Sequence, residues 1–169
     1  FSMNPMKVFC SYGESGAIVT DDIKIYDRLL SLRYAGTVNK EDCVNPSLNG
    51  RIDTIQASMM LVNFKYFEEK VERLREIAAF LTAKLENVVT CPNEGNSFHV
   101  YYSYTIITEK REELKEFLSS RGIETKIQHP ILMPLHSAYK NQFENIEIPV
   151  ARRLVDQIIC IPNHEKLLN

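Results

Sequence analysis

Lys7 is the side chain with the clearest chemical potential in this sequence. It lies just after Pro5, whose ring fixes the backbone, and before a short, mostly apolar run, Val8 to Cys10. A glycine-bearing turn follows in Gly13-Glu14-Ser15-Gly16, then a second apolar run through Ala17, Ile18 and Val19. This spacing predicts a β-hairpin-like unit over residues 7–20, with Lys7 where a strand begins. A primary amine at the edge of a buried sheet can act as a nucleophile, the chemistry of Schiff-base lysines. The bland alternative is a surface lysine beside a turn. In Asn49-Gly50-Arg51, residue type alone makes Asn49 a turn former and Arg51 a solvated charge. A guanidinium there can also hold a carboxylate or phosphate through paired hydrogen bonds. His129 and His136 flank the loop from Pro130 to Pro134.

The elements that must position these groups are legible from periodicity. Asp21 or Asp22 caps a helix whose Ile25, Leu29 and Leu32 fall at helical spacing, with Gly36 as its stop. Residues 37–50 read as a long loop. Asp53 is the expected N-cap of the longest helix, with Ile55, Met59, Val62 and Tyr66 as its apolar stripe. Val71, Leu74, Ile77 or Ala78, Leu81 and Leu85 continue it, so the helix is either very long or kinked near Asn63 to Phe67. A coiled-coil-like strut is the plainer alternative. Beyond Val88 the pattern becomes mixed α+β: a strand over 98–107, an amphipathic helix over 110–121 ended by Gly122, and a strand over 123–128. Pro149 then opens a short helix, and a strand over 158–161 is stopped by Pro162.

At 169 residues the chain is long enough for one domain, or parts of two, with a real core. A net charge of −2 without a basic stripe argues against nucleic-acid binding. No apolar run approaches the roughly 20 residues of a membrane span, and the first residues do not read as a signal peptide. Cys10, Cys43, Cys91 and Cys160 are widely separated. They are expected to be inert, reduced thiols of a cytoplasmic protein, and no metal site is expected from the four histidines.

The motifs Ser2-Met3-Asn4-Pro5-Met6-Lys7, Gly13-Glu14-Ser15-Gly16-Ala17 and Thr20-Asp21-Asp22 occur in order with Leu32 to Gly36, Asn49 to Ala57, Pro130 to Tyr139, Pro149-Val150-Ala151 and Ile161 to His164. In these blocks the whole chain resembles the DegT/DnrJ/StrS family of pyridoxal-phosphate (PLP) nucleotide-sugar aminotransferases. The resemblance implies an α/β plus α+β fold. Residues 1–52 would be the end of a fold-type I large domain, and residues 53–169 the long helix and the small C-terminal α+β domain. It implies pyridoxal 5′-phosphate as cofactor and Lys7 as the catalytic, cofactor-binding lysine. Ser2 and Asn49 would bind the cofactor phosphate, Asn49 that of a neighbouring subunit. Arg51 would bind substrate, as would His129, although it is displaced by one position from the family's histidine. His99, His136 and His164 are expected to be structural or exposed.

The implied reaction moves an amino group, from glutamate, onto a keto nucleotide sugar in surface-polysaccharide or glycan biosynthesis. It implies a cytoplasmic homodimer with shared active sites and neither nucleic acid nor membrane as partner. Asn4 and Ser15 depart from the family's usual histidine or aromatic residue and glycine. The family's upstream groups, which stack on the PLP ring and bind its pyridine nitrogen, have no counterpart here. The chain therefore reads as a fragment, inactive in isolation. The alternatives are a non-catalytic fragment and a regulatory or sugar-dehydratase paralogue; Lys7 disfavours the dehydratase, whose relatives carry histidine there.

Overall fold

The computed structural model describes residues 1–139, 141–143 and 146–167. The chain forms two compact units, Phe1–Glu68 and Glu69–Asn169.

In the first unit, Asp22 caps α1 (Ile23–Arg33), its carboxylate accepting from the N–H groups of Lys24 at 2.8 Å and Ile25 at 3.2 Å. The helix stops as its sequence predicts. The Gly36 N–H returns to the Ser31 carbonyl, and Gly36 takes a φ of 71°. A side chain there would stand 1.5 Å from the Asn45 carbonyl oxygen, so glycine is required twice over. Residues 37–50, expected as a loop, contain a short antiparallel pair, β1 (Thr37–Val38) and β2 (Asp42–Cys43).

The long helical pattern is broken in two, α2 (Thr54–Phe64) and α3 (Phe67–Leu85), at the position where a kink was expected. The ladder tightens there: Lys65 N–H bonds to the Val62 carbonyl and Tyr66 N–H to the Asn63 carbonyl. Asp53 is the N-cap of α2 by position, without a side-chain capping bond. The inward face of α2 differs from the expected one. Ile55, Met59, Val62 and Tyr66 are exposed, whereas Met60 is buried and Gln56 and Asn63 are half-buried. Because α2 is apolar on most sides, its periodicity does not choose a face; two polar side chains with backbone partners do.

The second unit is organised by α3 and an antiparallel sheet. Its buried stripe, Val71, Leu74, Ile77 and Ala78, is the predicted one. β3 (Tyr104–Ile107) pairs with β4 (Ile158–Ile161) in the register Tyr104 to Ile161 and Ile107 to Ile158. Bridges at Thr90–Ile107 and Lys126–Cys160 extend the sheet on both sides. Ala78, Tyr101, Tyr104, Ile106 and Ile159 form the core, with Leu81, Leu85 and Leu114 packed against it. Leu114 comes from α4 (Arg111–Ser120), and the last helix is α5 (Pro149–Val155), with Pro149 in its first turn as expected. Tyr104 keeps a partner in the dry interior, its hydroxyl lying 2.6 Å from that of Thr82. Burial pushes its phenol up to about 12.

Two strand expectations are corrected. The strand over 98–107 exists only from Tyr104, because Tyr101 has a φ of 46° and breaks the extended backbone. That break brings Tyr101 rather than Tyr102 into the core. The strand over 123–128 reduces to the single bridge at Lys126.

Before that break, Arg75 of α3 donates to Glu94 at 2.7 Å and to the His99 carbonyl at 2.8 Å, with its guanidinium stacked 4.2 Å over the Phe98 ring. The hydrogen bond from Arg75 holds the Glu94 carboxyl below the usual glutamate range, assisted by the His99 N–H. A carboxyl lowered in this way binds fewer protons folded than unfolded. Its contribution is therefore present at neutral pH and lost as the pH falls through the lowered value. Urea midpoints measured from neutral pH downwards should fall below the ordinary glutamate range, and fall less steeply in Arg75→Met; parallel curves would contradict the pair's contribution.

Candidate active site around the Lys7 loop

Residues 1–17 form a loop closed at its ends. Phe1 and Ala17 exchange two hydrogen bonds, of 2.6 and 2.9 Å, the Met3 N–H donates to the Ser15 carbonyl at 2.9 Å, and Ser2 bridges Gly16. The hairpin-like closure is as expected, but its two strands are not: residues 7–20 are bends and irregular backbone apart from the bridge at Gly16, and Lys7 closes a turn that begins at Asn4. The cause is local. Pro5 offers no N–H, the Asn4 side chain accepts from Met6 N at 3.1 Å, and the Lys7 N–H returns to the Asn4 carbonyl at 3.0 Å. Asn4 thus builds the turn that carries Lys7, which is half-buried.

Ser11 is the buried centre of this loop, 2% exposed. Its N–H and its hydroxyl both reach the Met3 carbonyl at 2.8 Å, and the hydroxyl also meets the Gly13 carbonyl. Ser15 donates to the Ser11 hydroxyl at 2.9 Å. The serine at position 15 therefore adds to the interior network rather than merely replacing a small residue. α2 supplies the remaining partners: Gln56 accepts from the Tyr12 N–H at 2.8 Å, and Asn63 donates to the Cys10 carbonyl at 3.0 Å. Phe9 packs edge-on against Phe64 and Phe67, with ring centres 5.6 and 5.4 Å away.

Asn49 and Arg51 stand together on a second loop of the same unit. Their backbone is tied to the end of α1 by the bridge from Asn49 to Tyr34 and by the Gly50 N–H, 2.9 Å from the Arg33 carbonyl. The Asn49 side-chain oxygen accepts from Arg51 Nε at 3.0 Å, and the guanidinium lies 4.2 Å over the Tyr34 ring. Stacking and hydrogen bonding thus hold an exposed arginine in a defined orientation. The Asn49 oxygen is occupied by Arg51, so its amide N–H groups are the ones it presents outward.

His129 lies in the second unit, exposed, with a φ of 53° before Pro130. His99 accepts from the Tyr101 N–H at 2.8 Å and His164 from the Lys166 N–H at 3.3 Å, while the exposed His136 ends a short 3₁₀ turn, Met133–Leu135. The structure thus places Ser2 and Lys7 on one loop, Asn49 and Arg51 on another, and His129 in the second unit. Sequence reasoning missed Ser11, Tyr34, Gln56 and Asn63. Gln56 and Asn63 interrupt an apolar helix at matching positions two turns apart, and that was the available signal. Among the described residues no group of side chains could hold a metal ion, and no helix is long and apolar enough to cross a membrane.

The whole chain, residues 1–169, matches the model of the DegT/DnrJ/EryC1/StrS aminotransferase family, and it belongs to that family. It is 29% identical to a UDP-2-acetamido-2-deoxy-3-oxo-D-glucuronate aminotransferase of Pseudomonas aeruginosa, covering 98% of this chain and 46% of that relative. It is 28% identical to a "Pleiotropic regulatory protein" of Geobacillus stearothermophilus, covering 99% of this chain and 46% of the relative. A solved DegT DnrJ EryC1 StrS aminotransferase from Brucella abortus superposes with a TM-score of 0.89 at 29% identity, over 98% of this chain and 45% of that one. The S. venezuelae DesV structure, in complex with a ketimine intermediate, gives 0.92 at 27% identity over 99% and 46%. The chain spans about half the length of the curated relatives it matches, and its mixed α/β fold is that of the family.

The Ser11 hydroxyl has no solvent to replace its partners, so Ser11→Ala should destabilise the protein by about 1–3 kcal/mol. Denaturant unfolding checks this against Ser58→Ala on exposed α2 surface; equal, small losses would show that the buried network contributes nothing.

Proposed function

We propose that the protein carrying this chain is a PLP-dependent aminotransferase. It moves an amino group from glutamate onto a keto nucleotide sugar in surface-polysaccharide or glycan biosynthesis. The observation that carries the reading is the closed loop presenting Lys7 and Ser2 together, in a chain that matches the aminotransferase family over its whole length. An amine and a hydroxyl on one constrained loop fit the aldehyde and phosphate ends of PLP. The name of the P. aeruginosa relative, a 3-oxo-glucuronate aminotransferase, supports an oxo-sugar substrate.

PLP, when bound, supplies an electron sink for breaking the bond to the substrate's α-hydrogen. Lys7 would hold the cofactor through Nζ, and the same amine would take up and return a proton at the substrate carbon. The Ser2 hydroxyl would donate to the cofactor's phosphate. Asn49 would offer its amide N–H groups to the phosphate in a partner subunit's site, and Arg51, steadied by Tyr34, would bind an anionic group of the substrate. His129 is a further substrate contact.

In this reading residues 1–52 close the large domain, residues 53–169 form the long helix and the small C-terminal α+β domain, and the protein works as a cytoplasmic homodimer. Support for extensive partner surfaces comes from the first unit, where Phe1, Ile18, Val19, Ile23, Ile55 and Leu61 are all exposed. The isolated chain is expected to be inactive. The likeness to the pleiotropic regulatory protein favours a second reading, a paralogue in which the fold serves regulation.

Borohydride reduction separates the two. Treated in the presence of PLP, the full-length protein should carry the cofactor as a stable secondary amine on the Lys7 peptide, and Lys7→Ala should lose both the label and transamination. Labelling at Lys24 or Lys65, or none, would overturn the assignment; unlabelled protein without transaminase activity would favour the regulatory reading.

A further inference from the structure

We propose that Gln56 is a positioning residue for Lys7, its side-chain oxygen fixing the path of the loop that carries the lysine by holding the Tyr12 N–H. The inference rests on the reading of Lys7 as the cofactor lysine and adds a part that sequence motifs do not assign. Three steps of hydrogen bonding join the two residues. Gln56 holds the Tyr12 N–H at 2.8 Å, the neighbouring Ser11 holds Met3 through two bonds of 2.8 Å, and Asn4, next to Met3, accepts from the Lys7 N–H at 3.0 Å. Each step crosses to an adjacent peptide, so the chain of bonds is continuous from Gln56 to the lysine turn.

Independent packing supports the role. A Cβ at Gly13 would stand 2.8 Å from Gln56 Nε2, so the carboxamide packs directly against the Gly13 backbone. Two turns along the same helix face, Asn63 donates to the Cys10 carbonyl at 3.0 Å. The peptide groups on both sides of Ser11 are therefore held by α2, with the buried Met60 between the two carboxamides.

Burial alone does not account for this choice of face. Ile55, Met59 and Val62 remain exposed while two carboxamides turn inward. A half-buried amide costs free energy unless it is bonded, and here the bonds go to the backbone of one loop. Tyr12 itself keeps its ring in solvent, so its backbone, not its side chain, is what α2 recognises.

The test uses the full-length protein with PLP and the variants Gln56→Leu, Gln56→Glu and Gly13→Ala. Gln56→Leu keeps the bulk and loses the acceptor, whereas Gln56→Glu keeps an acceptor oxygen. In Gln56→Leu, amide exchange at Tyr12 should accelerate by about tenfold or more, and the visible circular dichroism of the bound PLP should change. Its kcat should fall by about tenfold while KM for the amino donor stays within about twofold. Gln56→Glu should restore all three signals. If Gln56→Leu does not fold, Gly13→Ala carries the test, because its methyl group displaces the flexible carboxamide and should produce the same signature. Wild-type protein fixed to PLP at Lys7, with unchanged dichroism and kcat in the folded variant, would overturn the positioning role alone. A loss of kcat that glutamate does not rescue would overturn it as well. Wild-type protein carrying no PLP on Lys7 would overturn both this role and the assignment of the lysine.

Discussion

A backbone that leaves regular secondary structure must find other partners for its N–H and carbonyl groups, and the first seventeen residues are built around that constraint. The Lys7 loop belongs to no sheet. Its interior bonds converge on the buried Ser11, and its outer bonds go to Gln56 and Asn63 of α2. That network fixes which face of α2 turns inward and where the aromatic group of Phe9, Phe64 and Phe67 closes. A loop held in this way can present an amine in one geometry without a strand beneath it, which is the preorganisation that positioned nucleophiles require.

The same logic recurs, with different chemistry, in the loop that follows α1. Gly36 allows the chain to pass the Asn45 carbonyl, and the Gly50 N–H ties the returning segment to Arg33. Arg51 is then held by Asn49 and the Tyr34 ring. Both candidate sites of the first unit thus rest on backbone contacts, made partly within the motifs and partly by residues outside them such as Ser11 and Asn63. The second unit has a core of α3 against β3 and β4, and there too side chains hold irregular backbone, Arg75 at the His99 carbonyl and Asn163 at the Tyr101 carbonyl.

Much of this organisation is legible in the sequence where a single physical signal dominates. Asp22 and Gly36 bound α1 through capping chemistry, Pro149 opens α5, and the stripe from Val71 to Ala78 marks the buried side of α3. The failures have equally physical causes. α2 is apolar on most sides, so spacing alone favours Ile55 and Met59, and the true face is chosen by carboxamide bonds to residues more than forty positions away. The positive φ at Tyr101 truncates a strand whose alternation looks continuous. Lys7 and its motif partners are visible as a pattern, but Ser11 is an ordinary serine until its surroundings are known. The family match covers every residue of the chain and about half of its relatives, which places the lysine motif in context without supplying its supporting contacts.

The central claim is that Lys7, held by this loop, is the residue that carries the cofactor. A crystal structure of the full-length protein grown with PLP tests it most directly. The account predicts continuous density from Lys7 Nζ to the cofactor, the Ser2 hydroxyl on its phosphate, and the Gln56 to Tyr12 bond intact beneath the loop. Cofactor density joined to another lysine, or a Lys7 loop released from α2 while the cofactor is bound, would contradict it.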